Sequence, residues 1–215
     1  LKEKNLNLTF ETEGTVADGY RFTGIESSRN YVEVKGLKSD LARANSVTIP
    51  KSELNMDGAT GDKEVTIDLN KYLPEGVELA DPAANEIKVV IKVESLESRT
   101  YEMPVSQIKQ VGASGQYDYE YDRKSLNIVV KGLKEDLDQL TAAAIQAELD
   151  VSSMEPGDNM GTVTLLLGDA YELVSGNSVL VTVTEKGPSA ADETTEEGES
   201  HSVADESGDP VKETT

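Results

Sequence analysis

Carboxylates are the chemistry this chain holds in quantity: 41 aspartates and glutamates stand against 20 lysines and arginines, with one histidine, His201, and no cysteine. Without a thiol, and with its only imidazole in the C-terminal stretch, the chain has no material for thiol nucleophiles, Ser-His-Asp triads or imidazole-rich zinc sites. A carboxylate pair remains, since glycoside hydrolysis needs only two acids at the right separation. Enzymes of that kind also present aromatic platforms, and tryptophan is absent. One regularly spaced acidic group is Asp118, Glu120 and Asp122, interleaved with Tyr117, Tyr119 and Tyr121. Calcium favours several oxygen ligands, yet residues two apart on a strand stand about 6 to 7 Å apart. Nor does any stretch have the spacing of an acidic calcium loop. A solvated strand face is the better reading, so no residue is assigned as catalytic, metal-binding or cofactor-binding.

The same alternation puts Tyr117, Tyr119 and Tyr121 on one face and the carboxylates on the other. Such a tyrosine stripe either faces a core or supplies an exposed partner surface, because tyrosine combines area with a hydroxyl. The core reading is favoured, and the stripe is kept as a candidate interaction surface together with Lys35 and Lys131. The formal charge is −21, and both the final stretch from Gly187 and the rest of the chain are acidic. A surface of that sign repels phosphate backbones and anionic lipid headgroups. Lys35, Lys38, Lys131 and Lys134 line up only if parts of the chain stack, so nucleic-acid binding is not expected.

Those lysines belong to a repeat. Val34-Lys35-Gly36-Leu37-Lys38-Ser39-Asp40-Leu41 returns as Val130-Lys131-Gly132-Leu133-Lys134-Glu135-Asp136-Leu137, with seven of eight positions identical at an offset of 96. In each copy an alternating run, Tyr31 to Lys35 or Leu126 to Lys131, reads as a strand. Gly36 and Gly132 then take a turn that needs either a positive φ or a close approach. Ser39-Asp40-Leu41 and Glu135-Asp136-Leu137 place carboxylates at the start of a short helix. No further glycines follow at phosphate-loop spacing.

Around the signature, Leu6–Phe10, Tyr20–Phe22, Val47–Ile49, Val65–Leu69 and Ile87–Val93 read as strands, with turns flanking Val77–Leu79. In the second copy Tyr101–Val105 reads as a strand whose Pro104 suggests an edge. Leu149–Ser152 matches Ile49–Ser52, Met160–Leu167 matches the Val65 strand, and Asn177–Val183 matches Asn85–Ile91. The Ala-rich stretch Thr141–Leu149 is the one place where a helix of two turns is expected. From Gly187 hardly any large apolar residue remains, so 187–215 is expected to be a disordered acidic tail. No apolar run approaches the roughly 20 residues of a spanning helix. The start, Leu1-Lys2-Glu3-Lys4, is neither an initiator methionine nor a signal peptide, so an anchoring or export segment would lie upstream.

Gly19-Tyr20, the Tyr31–Leu41 signature, Val47, Val65–Leu69, Pro74-Glu75-Gly76-Val77 and Val89-Val90-Ile91 together resemble the YbbR-like domain. Ile128–Leu133 and Val179–Val181 carry the likeness into the second copy, with Tyr117 near the family's Gly-Tyr position. The resemblance implies a mainly β chain of two tandem modules, 5–95 and 96–186, with short helical turns and a swapped-hairpin type of strand exchange. It also implies a non-enzymatic protein on the extracytoplasmic face of a bacterial membrane, behind an N-terminal helix not present in this chain. Its partner would be a protein, in some members the membrane diadenylate cyclase whose cyclic di-AMP synthesis they regulate. The alternative is a structural spacer or surface adhesin built from the same repeats.

Overall fold

The computed structural model describes residues 1–188, and the greater part of the acidic tail therefore lies outside the described residues. The first module runs β1 (Lys2–Phe10), β2 (Tyr20–Ser27), β3 (Tyr31–Gly36), α1 (Lys38–Arg43), β4 (Ser46–Ile49), β5 (Lys63–Asp68), β6 (Val77–Leu79) and β7 (Glu86–Ser95). Its strands form two sheets, ordered β4-β1-β3-β6 and β2-β7-β5. Although β2 lies between β1 and β3 in sequence, it leaves them to pair with β7. The return through α1 brings β4 parallel to β1 in an otherwise antiparallel sheet. The strand exchange expected above takes this form.

Period-two burial explains the strands. Along β7, Ile87, Val89, Ile91 and Val93 are buried while Glu86 and Lys88 are exposed, so one apolar row closes the core. Helix α1 has only six residues and no side-chain cap, too few to persist alone. Leu41, buried in the core beneath it, anchors it.

The second module follows after Leu96 alone. It runs β8 (Glu97–Pro104), β9 (Ile108–Val111), β10 (Tyr117–Tyr121), β11 (Ser125–Gly132), α2 (Lys134–Gln139), β12 (Gln146–Asp150), β13 (Gly157–Thr162), β14 (Thr164–Leu166), β15 (Tyr171–Ser175) and β16 (Ser178–Glu185). Its sheets are β15-β11-β8, β10-β16-β13 and β14-β12-β9. Here β8 and β9 together do what β1 does alone: β8 pairs antiparallel with β11, and β9 pairs parallel with β12. Pro104 ends the first half, and a 3-10 turn, Val105–Gln107, separates the two. As the proline suggested, β8 is an edge strand. The buried apolar residues divide into two clusters, one from Leu6 to Val93 and the other from Tyr101 to Val183.

Two expectations are corrected. Thr141–Leu149 is not a helix: Ala142–Ala144 form a 3-10 turn, and β12 begins at Gln146. Ile145, Ala147, Leu149 and Val151 are buried at period two, and the ladder with β9 outweighs alanine's helix preference of a few tenths of a kcal/mol per residue. Met160–Leu167 is not one strand either. It breaks at the buried Val163, whose N–H donates to the Asn177 carbonyl at 2.7 Å, as Leu69 donates to Asn85 at 2.7 Å in the first module. Beyond this shared anchor the first module makes a 3-10 turn, Leu69–Lys71, where the second makes β14.

Candidate functional site

The repeat signature builds the same corner twice. Gly36 pairs with Val77 and Gly132 with Tyr171, each at the end of its strand and beneath the first turn of its helix. Of the two reasons for glycine, the close approach is the one realised. A Cβ at Gly36 would lie 2.9 Å from the Gly76 carbonyl oxygen, and one at Gly132 3.1 Å from that of Ala170. Because the obstacle is backbone, Gly132→Ala is expected to cost about 1 to 2 kcal/mol, measured as a lowered urea midpoint at unchanged slope.

The tyrosine stripe lies half-buried against the second core. Tyr117 and Tyr119 meet edge to face with ring centres 6.4 Å apart. The Tyr119 hydroxyl accepts from the Ser114 N–H at 3.0 Å, and that of Tyr121 from Gln110 Nε2 at 3.1 Å. This geometry favours the core reading of the stripe. Lys35 and Lys131 sit half-buried at the two corners, one residue before the turn glycines. On the opposite face Asp122 forks onto Arg123 at 2.7 and 2.9 Å, and Asp118 stands 3.5 Å from Lys186, so cations already hold two of the three carboxylates. Among the described residues no group of three or more acids and histidines is placed to hold a metal. His201 lies outside them.

Several carboxyls are held below their ordinary range. Asp138 is lowered by hydrogen bonds from Lys134 and Arg99, Asp62 by those from Lys92 and the Val93 N–H, Asp122 by Arg123, and Asp150 by Ser152. Depressed carboxyl pKa values contribute stability that is present above the unfolded value, 3.8, and lost as pH falls through the folded one. In salt that screens the net charge, the urea midpoint is therefore expected to hold level from neutrality to about pH 5 and to drop below about pH 4. A midpoint that rises below pH 4 would contradict this.

Sequence reasoning missed Arg21, whose partners lie far along the chain. From β2 of the first module its Nη1 donates to the Ala170 carbonyl at 2.9 Å and stands 3.7 Å from Asp136 Oδ2 in the first turn of α2. Both side chains are about two-thirds covered, at 30% and 33% exposure. Leu96, the single residue between β7 and β8, donates its N–H to the Gly19 carbonyl at 2.7 Å. One backbone bond and one guanidinium thus fix the two modules against each other at the corner carrying the second signature. A groove of about 700 Å³ crosses this junction, lined by Asp62, Lys92 and Glu94 from one side and Glu97, Lys134 and Glu135 from the other. No helix among the described residues is long and apolar enough to cross a membrane.

Comparison with known proteins places the first module. Residues 6–91 match the family described as YbbR-like protein. No curated protein matches the chain. Among solved structures, the YbbR-like domain of a Listeria monocytogenes protein is 15% identical, with 43% of this chain and 97% of that one covered and a TM-score of 0.34. A solution structure from Streptococcus thermophilus is 22% identical over 44% and 85% of the two chains, at a TM-score of 0.34. A YbbR-like protein from Streptococcus pneumoniae is 14% identical over 86% and 96%, at 0.31.

Proposed function

We propose, for a chain whose first module is a YbbR-like domain, that it is a non-enzymatic interaction protein on the extracytoplasmic face of a bacterial membrane. It regulates a membrane diadenylate cyclase through protein contacts, anchored by an N-terminal segment that is not in this chain. The observation that carries the reading is the family match over residues 6–91, together with the return of that module's signature as Val130–Leu137. Its chemistry agrees: Asp118 and Asp122 of the tyrosine stretch and Asp138 of α2 are each engaged by cations rather than gathered as a reactive pair. No enzyme family is indicated for the chain.

The tandem arrangement suits a mechanical or steric role. A single connecting residue and the Arg21 contact leave little freedom between the modules, so a displacement at one end is transmitted to the other. The direct connection also fits a second reading, a structural spacer in which the repeats set a distance. Cyclic di-AMP output separates the two, since a regulator changes it and a spacer does not.

A further inference from the structure

Two modules built alike leave one strand edge in different states. In the second, β15 runs beside β11 as far as Ser175 opposite Val129, and the Gly176 backbone then closes over the Asn127 carbonyl. In the first, β6 stops at Leu79 opposite Val34, and only the Ala80 N–H reaches one step further, to the Glu33 carbonyl at 3.0 Å. Tyr31 holds the place of Asn127 at the repeat offset. Beside it the 3-10 turn Pro82–Ala84 leaves a pocket of about 560 Å³ where the second module has its own chain.

The main chain along this edge is unpaired. Leu8 donates to the Asn30 carbonyl at 2.9 Å, so alternation along the antiparallel pair turns the N–H and C=O of Tyr31 away from β1. Neither meets a partner among the described residues. An edge of that kind is a template for one more extended segment. The side chains add a charge. Of the five arginines in the chain, Arg21, Arg43, Arg99 and Arg123 each stand within 3.7 Å of an aspartate. Arg29 has no such partner among the described residues, and its Nη1 reaches only the Ala84 carbonyl, at 3.5 Å, longer than an ordinary hydrogen bond. It lines the pocket with Tyr31, whose side chain is 57% exposed, and with Glu33 and Asp81.

We propose that this pocket binds the C-terminus of an extended peptide, whose main chain pairs with Tyr31 while its terminal carboxylate lies on Arg29. The unpaired N–H and C=O belong to one strand residue, and a peptide backbone laid alongside reproduces their spacing. A guanidinium takes a carboxylate through two parallel bonds, which selects a chain end over an internal segment. Glu33 and Asp81 repel an acidic side chain and favour a basic one next to the terminus. The volume falls within the range of small-ligand sites, about 300 to 1,000 Å³. Such binding is independent of any effect on a cyclase.

The test titrates the whole ¹⁵N-labelled chain with the acetylated tripeptide Ala-Lys-Ala as free acid, with its C-terminal amide, and with glucuronate. The free acid is expected to shift the Asn30, Tyr31 and Val32 amides saturably, and the amide to bind about tenfold or more weakly. Arg29→Ala, at an exposed position, is expected to abolish the preference for acid over amide while the β7 amides stay protected. No saturable shift at these three amides overturns the proposal, as does equal binding of acid and amide or a preference that survives Arg29→Ala. Glucuronate binding as tightly as the free acid would assign the pocket to an acidic sugar and overturn it too.

Discussion

Gly176→Ala is expected to destabilise the second module by about 4 kcal/mol, the largest effect of any glycine substitution among the described residues. Gly176 has a φ of +94°, and a Cβ there would fall 1.8 Å from the Asn127 carbonyl oxygen and 3.1 Å from the Ile128 Cα. The positive φ alone costs a non-glycine residue about 1 to 3 kcal/mol, and overpacking against backbone adds about 1 to 3 kcal/mol. Neither can relax cheaply, because Asn127 and Ile128 belong to the central strand β11, paired on both sides. The register between β11 and β15 shifts between Val129 and Val130, next to this crossing. Through the shared Asn85 and Asn177 anchors, the equivalent residue of the first module is Ala84, which closes a 3-10 turn instead. Gly168→Ala is the control: nothing lies within 4 Å of its added methyl, and its effect is expected within about 0.5 kcal/mol of zero. Equal urea midpoints for the two variants would contradict the packing described here.

Ile128→Ala is expected to cost about 3 to 4 kcal/mol, again confined to the second module. Ile128 is fully buried on β11, between Leu126 and Val130 on the same face, so the vacated volume has walls on every side and collapses poorly. The two cores share no residue, and Arg21 and Leu96 tie them by only a few polar bonds. Unfolding of Ile128→Ala should therefore separate into two steps, with the signal of β11 amides lost early and that of β7 amides unmoved. A single cooperative transition, shifted as a whole, would mean that the joint couples the modules more strongly than its contacts account for.

Where one face of a strand is buried, the sequence states the fold directly. Ile87, Val89, Ile91 and Val93 alternate with polar residues, and β7 is legible from that period alone. The corner glycines were legible through repetition, although only the structure separates close approach from positive φ. Thr141–Leu149 was misread because three alanines carry no period, while Ile145, Ala147 and Leu149 satisfy an alternating pattern at too few points to stand out against them. Strand β9, Ile108–Val111, exists because Pro104 interrupts its parent strand, and its parallel partner lies 39 residues further along the chain. Arg21 was invisible for the same reason in stronger form. A lone cation in a strand has no local partner, and what gives it meaning, Asp136 and the Ala170 carbonyl, is brought near only by the packing of one module on the other. Its signature side could have been found, since Leu37 and Lys38 repeat without a core to explain them.

The most direct measurement is cyclic di-AMP production by a membrane diadenylate cyclase of the same genome, co-expressed with the full-length protein or with a version lacking residues 1–186. The account predicts that the full-length protein changes the output and that the truncated version does not, which puts the effect in the two modules. Identical output from both would contradict regulation of the cyclase and leave the tandem modules as a spacer.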